Sequence, residues 1–380
     1  MIENYELKQL IEPLQNWFQE NARVLPWREH PTAYNVWVSE IMLQQTRVEA
    51  VKPYYDRFLQ ELPDVKSLAA CPEDKLLKLW EGLGYYNRVR NMKIAAQQVM
   101  EEYAGIIPSE YEELLKLKGI GSYTAGAISS IAYGKALPAV DGNVLRVITR
   151  VTADDSDIMK ESTKKRIEQR LFHMMNSVQE NESRVIPAVF NQALMELGAT
   201  VCVPNGAPQC NKCPWQDLCE ARKQNRIAEI PVKSKGKNRK IENKTVLIIK
   251  DGEQLALHKR PSKGLLAGLY ELPNISGHQN EDTVLTLVKE RGYEPIRVMK
   301  LCDAKHIFSH VEWHMKGYVV FVASRELVQG AKIREVVDKS TSDWFFVDVE
   351  ETRQKYAIPS AFSKYAEYLN LVLGKNVFEK

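Results

Sequence analysis

Four cysteines stand close together in the sequence, at Cys202, Cys210, Cys213 and Cys219. In a reducing compartment, thiols crowded in this way bind metal far more often than they form disulfides. Four thiolates suit either zinc or an iron–sulfur cluster. Zinc ribbons usually carry two separate C-x-x-C pairs, and here only Cys210 and Cys213 form such a pair. The spacing therefore favours a loop, residues 202–219, wrapped around a cuboidal 4Fe–4S cluster over a zinc site.

A glycine-rich turn in LKGIGSYTAGAI, residues 117–128, is a second candidate for chemistry. Gly119 and Gly121 permit backbone angles and a close approach that larger residues forbid. A turn that leads directly into a helix directs free N–H groups at an anion, and the helix dipole adds to the attraction. With a helical pattern on each side, the turn predicts a helix–hairpin–helix, whose usual anion is a DNA phosphate. Taken alone, a G-x-G turn is more often an ordinary corner between two helices.

An aspartate follows this turn in LPAVDGNVLRV and occupies the predicted N-cap of the next helix. In that position the carboxylate of Asp141 accepts helix N–H groups and is stabilised in its ionised form by the helix dipole. By itself this pattern indicates a structural cap, a role that any aspartate can fill.

The elements around these residues change character along the chain. Up to about residue 231, apolar residues recur at helical spacing, as in YNVWVSEIMLQQTRVEAVKPYYDRFL, GNVLRVITRV and AVFNQALMELGAT. Beyond it, TVLIIKDGEQLALHKR, EWHMKGYVVFVAS and SDWFFVDV indicate strands, and SAFSKYAEYLNLVL indicates a closing helix. We therefore predict a helical domain over residues 1–231, a linker over 232–244 and an α+β domain over 245–375.

Length and composition set wider bounds. The 380 residues suffice for two domains, and the net charge of +3 indicates that any polyanion site is local. The predicted linker, VKSKGKNRKIENK, is strongly basic. No apolar run is long enough to span a membrane, and the acidic, amphipathic start is unlike a signal peptide. These features indicate an intracellular protein; the family resemblance described next implies a cytoplasmic protein of bacterial type, associated with the nucleoid when it acts.

The motifs together resemble those of the helix–hairpin–helix DNA glycosylases that carry an iron–sulfur cluster, and within that family its adenine-specific members. The resemblance covers nearly the whole chain and is carried by LPWR, WVSEIMLQQT, LWEGLGYYNRVRN, GIGSYTAGAI, AVDGNVLRV, the four cysteines and FSH. It implies an all-α helix–hairpin–helix glycosylase domain with an iron–sulfur loop, followed by an α+β Nudix-like (MutT-like) domain. Because the glutamate-rich Nudix box is missing, we do not expect pyrophosphate hydrolysis in that domain.

The resemblance also implies a reaction: a monomer flips adenine out of double-stranded DNA, opposite 8-oxoguanine or guanine, and removes it in base excision repair. Glu40 lies in the mostly apolar VWVSEIMLQQ, where desolvation raises a carboxyl pKa, and it is expected to protonate the base as general acid. Asp141 is expected to stabilise the oxocarbenium-like transition state or to bond transiently to the sugar. Relatives that also cut the strand have a lysine at the position of Tyr123. A phenol predicts a monofunctional enzyme, in which Tyr123 bonds an aspartate or substrate oxygen beside Asn143.

Binding roles follow in part from the same resemblance. It assigns the wedge that fills the gap in the DNA to Gln44, Gln45, Thr46, Leu83 and Tyr85. It assigns the adenine pocket to Trp27, Arg28 and Gln192, the hairpin to Gly119 and Gly121, and the cluster to the four cysteines. Candidate phosphate contacts are Arg88, Arg90, Lys93 and Arg146, and the alternative for each of them is a solvated face. Because the second domain lacks the Nudix box, we assign it recognition and expect the lesion to be read by Phe308, Ser309 and His310.

Three other functions are compatible with parts of the sequence. A bifunctional glycosylase of the endonuclease III type would share the hairpin and the cluster, but Tyr123 and the second domain argue against it. A non-catalytic DNA-binding module has no need of Glu40 with Asp141. A Nudix hydrolase with a helical appendage would need the missing box.

Overall fold

The chain divides into two compact units of contacting residues. The structure, a computed structural model, describes residues 5–182, 186–234, 238–323 and 344–370, with the side chains of 179–182 excepted. One unit combines residues 1–71 with 90–235, and the other combines 72–89 with 236–380. Residues 72–89, which the sequence assigned to the helical domain, thus group with the second unit. The reason is a set of hydrogen bonds within that unit: Asp74 accepts from Lys259 and Tyr270, and Glu81 accepts from the backbone N–H of Ile358.

Helices build the first unit. The helices that precede the sheet of the second unit are α1 (Ile11–Asn21), α2 (Pro26–Glu29), α3 (Ala33–Leu43), α4 (Val48–Glu61), α5 (Val65–Ala70), α6 (Glu73–Leu79), α7 (Asn87–Glu102), α8 (Tyr111–Lys116), α9 (Ser122–Ala127), α10 (Gly142–Val151), α11 (Glu161–Glu182), α12 (Pro187–Thr200) and α13 (Glu220–Lys223). Of these helices, α6 lies in the second unit, and so do residues 87–89 at the start of α7.

Helix α10 lies at the centre of this unit. Every residue of α10 from Val144 to Val151 is buried, and its apolar side chains share one core with α1, α11 and α12. Trp215 closes the core from the cysteine loop and donates its indole N–H to the carbonyl of Leu10 at 2.9 Å. The central position of α10 fixes the N-terminal end of that helix, where Asp141 is the N-cap.

The long helical pattern predicted over YNVWVSEIMLQQTRVEAVKPYYDRFL is two helices in the structure. Helix α3 ends at Leu43 and α4 begins at Val48. Between them Gln45 has a φ of 58°, a left-handed conformation that no helix continues through. Neither glycine nor proline marks this break, so local sequence signals did not reveal it.

The second unit is built on a mixed sheet of strands β1 (Lys240–Asp251), β2 (Gln254–Lys259), β3 (Tyr270–Glu271), β4 (Asn274–Ser276), β5 (Pro295–Ile307), β6 (Val311–Val322) and β7 (Trp344–Asp348). The order is β3-β2-β1-β6-β5, with β4 paired to β1 and β7 paired to β2. Strands β1 and β6 are parallel, and the other pairs are antiparallel.

Alternate residues of β1 point to opposite faces of this sheet, and both faces are covered. Val246 and Ile248 join a core with Trp313 and the C-terminal turns, whereas Leu247 and Ile249 pack beneath α14 (Glu281–Glu290). Helices α15 (Val349–Lys355) and α16 (Ser363–Ala366) complete the unit.

Two predicted boundaries differ from the structure. The last part of the expected linker is strand, since Lys240–Lys244 pair in register with Val311–Met315. The expected closing helix is three short helical segments, Ser360–Phe362, α16 and Glu367–Leu369, which end at Asn370 in a left-handed conformation. Residues 371–375 of the predicted domain lie outside the described residues. No described helix has the length and apolarity that a membrane crossing requires.

Candidate active site

Glu40 is a buried carboxyl group on α3. This helix is apolar on nearly all sides, so the side chain is carried into the interior, and only 5% of the residue is exposed. Burial raises the pKa of Glu40 to about 7, and the negative charge of Asp141 adds to the rise. A hydrogen bond from Tyr123 and the positive charge of Arg28 act in the opposite direction. Glu40 is therefore a carboxyl group that titrates near neutral pH.

Asp141 accepts hydrogen bonds from three N–H groups, two of Asn143 and one of Val144. As N-cap of α10, its Oδ1 accepts the backbone N–H groups of Asn143 at 2.9 Å and Val144 at 2.8 Å. Its Oδ2 accepts the side-chain amide of Asn143 at 2.9 Å. Hydrogen bonds to the charged form stabilise an anion, as does the helix dipole. The N-cap that the sequence indicated is thus present, with Asn143 beside it.

Tyr123 occupies the first turn of α9 and donates its phenolic O–H to the carboxyl group of Glu40. Met195 Sδ lies 3.9 Å from the same oxygen. The sequence led us to expect an aspartate or a substrate oxygen as the partner of Tyr123. The observed partner is a glutamate because α3 and α9 pack against each other in this unit. Burial, together with the charges of Glu40 and Asp141, raises the pKa of Tyr123 well above its ordinary value, so the phenol stays protonated.

These groups line one cleft of about 1070 Å³. The cleft collects residues that the sequence assigned to catalysis, to the adenine pocket and to the wedge: Glu40, Tyr123, Asp141, Asn143, Trp27, Arg28, Gln192, Gln44, Gln45 and Thr46. Because it joins α2, α3, α9, α10 and α12, the cleft exists only in the folded unit.

Glu196 lines the same cleft and was missed by the sequence reasoning. Its side chain is fully buried on α12 and accepts hydrogen bonds from Arg23 Nε at 2.6 Å and Arg28 Nη2 at 2.8 Å. Burial opposes the ionisation of Glu196, but the two arginines outweigh it and hold its pKa below the ordinary value. The available signal was an acidic residue within the otherwise apolar AVFNQALMELGAT, the same kind of signal that identified Glu40.

Two arginines expected to contact phosphate have internal partners instead. Arg146 is 3% exposed and donates to Asn143 Oδ1 and to the carbonyls of Gly198 and Cys202. Arg146 therefore orients Asn143. Arg88 Nη2 donates to the carbonyls of Leu83 and Gly84, and burial lowers its pKa to about 10.

Four further residues belong to the predicted DNA-binding set. Arg90 and Lys93 are half-buried on α7, and their phosphate contacts stay predictions. Leu83 is buried, which does not suit a wedge, whereas Tyr85 is 49% exposed.

The hairpin between α8 and α9 contains both predicted glycines. Gly119 has a φ of +80°, and a Cβ there would lie 2.7 Å from Asn91 Cβ. Gly121 is the N-cap of α9, with a φ of −102°. The sequence suggested that the backbone of this turn lies very close to another group. At Gly119 that group is helix α7.

All four predicted cluster ligands line a second cavity, together with Val147, Leu197 and Trp215. Burial raises the pKa of Cys213 to about 12, and the other three thiols contribute to the rise. Arg150 Nη1 lies 3.4 Å from Cys202 Sγ. No three described histidine, cysteine, aspartate or glutamate side chains converge as ligands of a single metal ion. The four thiols share the lining of one cavity.

In the second unit, residues 308–310 form the tight turn between β5 and β6. Ser309 and His310 are exposed, and Ser309 Oγ lies 2.9 Å from the phenolic oxygen of Tyr85. Phe308, predicted to read the lesion with them, is half-buried and packs edge-on against Trp313. Its side chain belongs to the core of the unit, so Phe308 anchors the turn.

Comparisons with known proteins place this site in a class. The model of the HhH-GPD superfamily of base excision DNA repair proteins matches residues 38–172, and a Nudix domain model matches residues 245–368. A solved thermostable thymine-DNA glycosylase is 27% identical, with a TM-score of 0.50 over 57% of this chain and 96% of its own. The fold class predicted from the sequence is confirmed: a helix–hairpin–helix DNA glycosylase domain followed by a Nudix-like domain.

Curated relatives define the family more closely. The chain is 35% identical over 363 residues to an adenine DNA glycosylase of Mus musculus, covering 80% of this chain and 69% of the relative. It is 33% identical over 306 residues to that of Buchnera aphidicola subsp. Acyrthosiphon pisum, covering 80% and 84%. The chain belongs to the adenine DNA glycosylases, the MutY family, and is a DNA N-glycosylase.

Proposed function

We propose that the enzyme removes adenine mispaired with 8-oxoguanine, and also with guanine, and that it does not cut the strand itself. The observation that carries this proposal is the pair Glu40 and Asp141 in one cleft. The first is a carboxyl group with a pKa of about 7, and the second is a carboxyl group that accepts two backbone N–H groups of α10. Acid-assisted cleavage of a glycosidic bond needs such a pair.

Each group has a defined part in the reaction. Glu40 donates its proton to the five-membered ring of the flipped adenine. The bond from C1′ to the base then breaks, and its electron pair leaves with a base that is neutral. Asp141 stabilises the positive charge that develops on the sugar. The oxygen of a water molecule then bonds to C1′, and the proton that this water loses restores the protonated form of Glu40. General acid catalysis of this kind contributes about 10²–10⁴-fold.

The identity of Tyr123 supports a monofunctional enzyme. A Schiff base with the sugar aldehyde needs an amine, and Tyr123 offers a phenol that donates its O–H to Glu40. Tyr123 therefore tunes the acid and does not attack the sugar.

Recognition of the opposite base is assigned to the turn that carries Ser309 and His310. Adenine is the same leaving group whatever it pairs with, so discrimination has to come from the other strand. 8-Oxoguanine carries an N–H where guanine has an acceptor, and a serine hydroxyl can accept from it. The exposure of Ser309 and His310, and the contact of Ser309 with the half-exposed Tyr85, support this assignment.

Cys202, Cys210, Cys213 and Cys219 would hold one 4Fe–4S cluster. Four thiols around a common cavity suit a polynuclear cluster, whereas zinc needs four sulfurs within about 2.3 Å of one point. When bound, the cluster supplies iron–thiolate bonds that tie loop 202–219 together. We expect about four irons per chain and broad visible absorption. One equivalent of zinc in a colourless, active protein would overturn this assignment, and Cys302→Ser, which alters an exposed cysteine elsewhere, is the control.

The proposed function is tested by single-turnover cleavage of a duplex with one adenine opposite 8-oxoguanine. Free adenine should accumulate, and strand breaks should appear only after alkali treatment. Strand breaks without alkali, trapped by borohydride as a covalent complex, would support the endonuclease III-type alternative. Release of an oxidised pyrimidine but not of adenine would exclude the proposal.

A further inference from the structure

The cleft that holds Glu40 and Asp141 is lined by four cations, Arg23, Arg28, Arg47 and Lys164. The first two are hydrogen-bonded to the single buried carboxylate of Glu196, which offsets one of their two charges. Arg47 is exposed on the turn before α4, and its side chain makes no ion pair with another described residue. Lys164 lies on α11 and is 29% exposed. Positive charge is therefore available to a ligand at two separate elements of the cleft wall.

The ammonium group of Lys164 is hydrogen-bonded to a neutral hydroxyl group, so it can still bind an anionic ligand. The ammonium donates to Ser122 Oγ at 3.1 Å, and the same hydroxyl donates to Glu168 Oε1 at 3.0 Å. Glu168 itself is 3.6 Å from the ammonium, too far for a good direct hydrogen bond. An ammonium can form three hydrogen bonds, so a stronger anionic acceptor can bind it while the contact with Ser122 persists.

A nucleotide in this cleft brings such acceptors with it. The sugar next to Asp141 is bonded to the base on one side and to two phosphates on the other. Glu40 and Asp141 add no positive charge to balance those phosphates, and Arg23 and Arg28 are already paired. Phosphate contacts fix the register of a protein on DNA, and lysine and arginine make most of them.

We propose that Arg47 and Lys164 bind the two backbone phosphates that flank the extruded nucleotide, and that Glu168 holds Lys164 until DNA arrives. Both residues are absent from the phosphate-binding set that the sequence suggested. They are positioning residues: they hold the sugar against Asp141 and take no part in proton transfer. This inference rests on the proposed placement of the sugar beside Asp141.

The first test measures binding of the full-length protein to a duplex with a non-cleavable adenosine analogue as a function of salt. The slope of log K against log salt is negative, and each lost phosphate contact reduces its magnitude by about 0.9 on B-DNA. We therefore expect R47Q and K164Q each to reduce the magnitude of the slope by about 0.9, and the double variant to reduce it by about twice as much. K165Q, which removes the same charge from the next position of α11, is the matched control and should change the slope far less.

The second test assigns the contact to a phosphate. A duplex with a neutral methylphosphonate on one side of the analogue should bind wild type more weakly and should abolish the further loss caused by K164Q. A methylphosphonate on the other side of the analogue should likewise weaken binding of wild type, and it should abolish the further loss of binding caused by R47Q. E168Q should bind the unmodified duplex several-fold more tightly, a gain that misfolding cannot produce.

The outcomes separate this inference from the proposed function. If wild type fails to release adenine, the proposed function is wrong. If wild type releases adenine but R47Q and K164Q have the slope of K165Q, the phosphate clamp is wrong and the proposed function stands.

Discussion

At the scale of single residues, Glu40 and Asp141 show how one cleft gives two carboxyl groups different surroundings. Glu40 is a buried residue of the apolar helix α3, so the loss of its proton leaves a poorly solvated charge. Asp141 caps α10 and accepts N–H groups that solvate its charge. Their division of roles follows from these surroundings.

The first prediction concerns pH. A general acid acts only while protonated, and the pKa of Glu40 is about 7. The single-turnover rate of adenine release should therefore fall as pH rises through about 7. E40Q should lose about 10²–10⁴-fold in rate at pH 6 while binding the duplex normally, because the amide keeps the shape but has no acidic proton.

E49Q is the control for this measurement, since Glu49 lines the same cleft but is exposed and paired with Lys52. It should keep the wild-type pH profile. A rate for E40Q within tenfold of wild type would remove Glu40 from the role of acid.

A second prediction concerns the phenol of Tyr123. Its hydrogen bond lowers the pKa of Glu40, so Y123F should raise that pKa further. The fall in rate should then begin at a higher pH than in wild type, as measured by single-turnover profiles of both proteins. A profile that stays in place, or moves to lower pH, would show that Tyr123 does not tune Glu40.

At the scale of elements, the hairpin between α8 and α9 depends on one glycine more than on the other. Gly119 adopts a left-handed φ and faces Asn91, whereas a Cβ at Gly121 would meet no atom within 4 Å. The two positions belong to the same motif, yet the physical demand on them differs.

We predict that G119A destabilises the protein by about 1–3 kcal/mol, because alanine is strained at that φ and its Cβ collides with Asn91. G121A should be nearly neutral, since its φ is negative and the space is open. Urea denaturation of both variants checks this, and duplex binding should weaken more in G119A. Equal stability of the two variants would contradict the steric explanation.

At the scale of the whole molecule, we propose that catalysis and recognition of the opposite base belong to different units. Glu40, Tyr123 and Asp141 lie in the helical unit, and Ser309 and His310 lie in the unit built on the sheet. Rate and mispair preference should therefore be separable by mutation.

S309A combined with H310A should cut the preference for 8-oxoguanine over guanine opposite adenine about tenfold, since one good base contact is worth about 1–3 kcal/mol. The ratio of single-turnover rates on the two duplexes measures this. S276A combined with H278A, a similarly exposed serine and histidine of the same unit, should leave the ratio unchanged. An unaltered ratio in the first variant would mean that the lesion is read elsewhere, by Tyr85 or Thr46.

The sequence by itself determined what depends on near neighbours in the chain. Asp141 caps the helix that starts at the next residue, and Gly119 forms a turn within its own hairpin. The Asp-Gly dipeptide of TVLIIKDGEQLALHKR indicates a turn between two strands, and in the structure Asp251 pairs with Gln254 where β1 meets β2. Such features are stabilised by bonds within a few residues, so residue type and spacing are enough to predict them.

Only the tertiary structure decided which distant groups meet. Tyr123 finds Glu40 across 83 positions, and Arg23 finds Glu196 across 173. The burial of Arg146 and the placement of Lys164 in the cleft likewise depend on how α10, α11 and α12 pack. A local pattern shows that a side chain is polar or charged. Whether that side chain faces solvent, a partner or a substrate depends on packing between elements that are far apart in the chain.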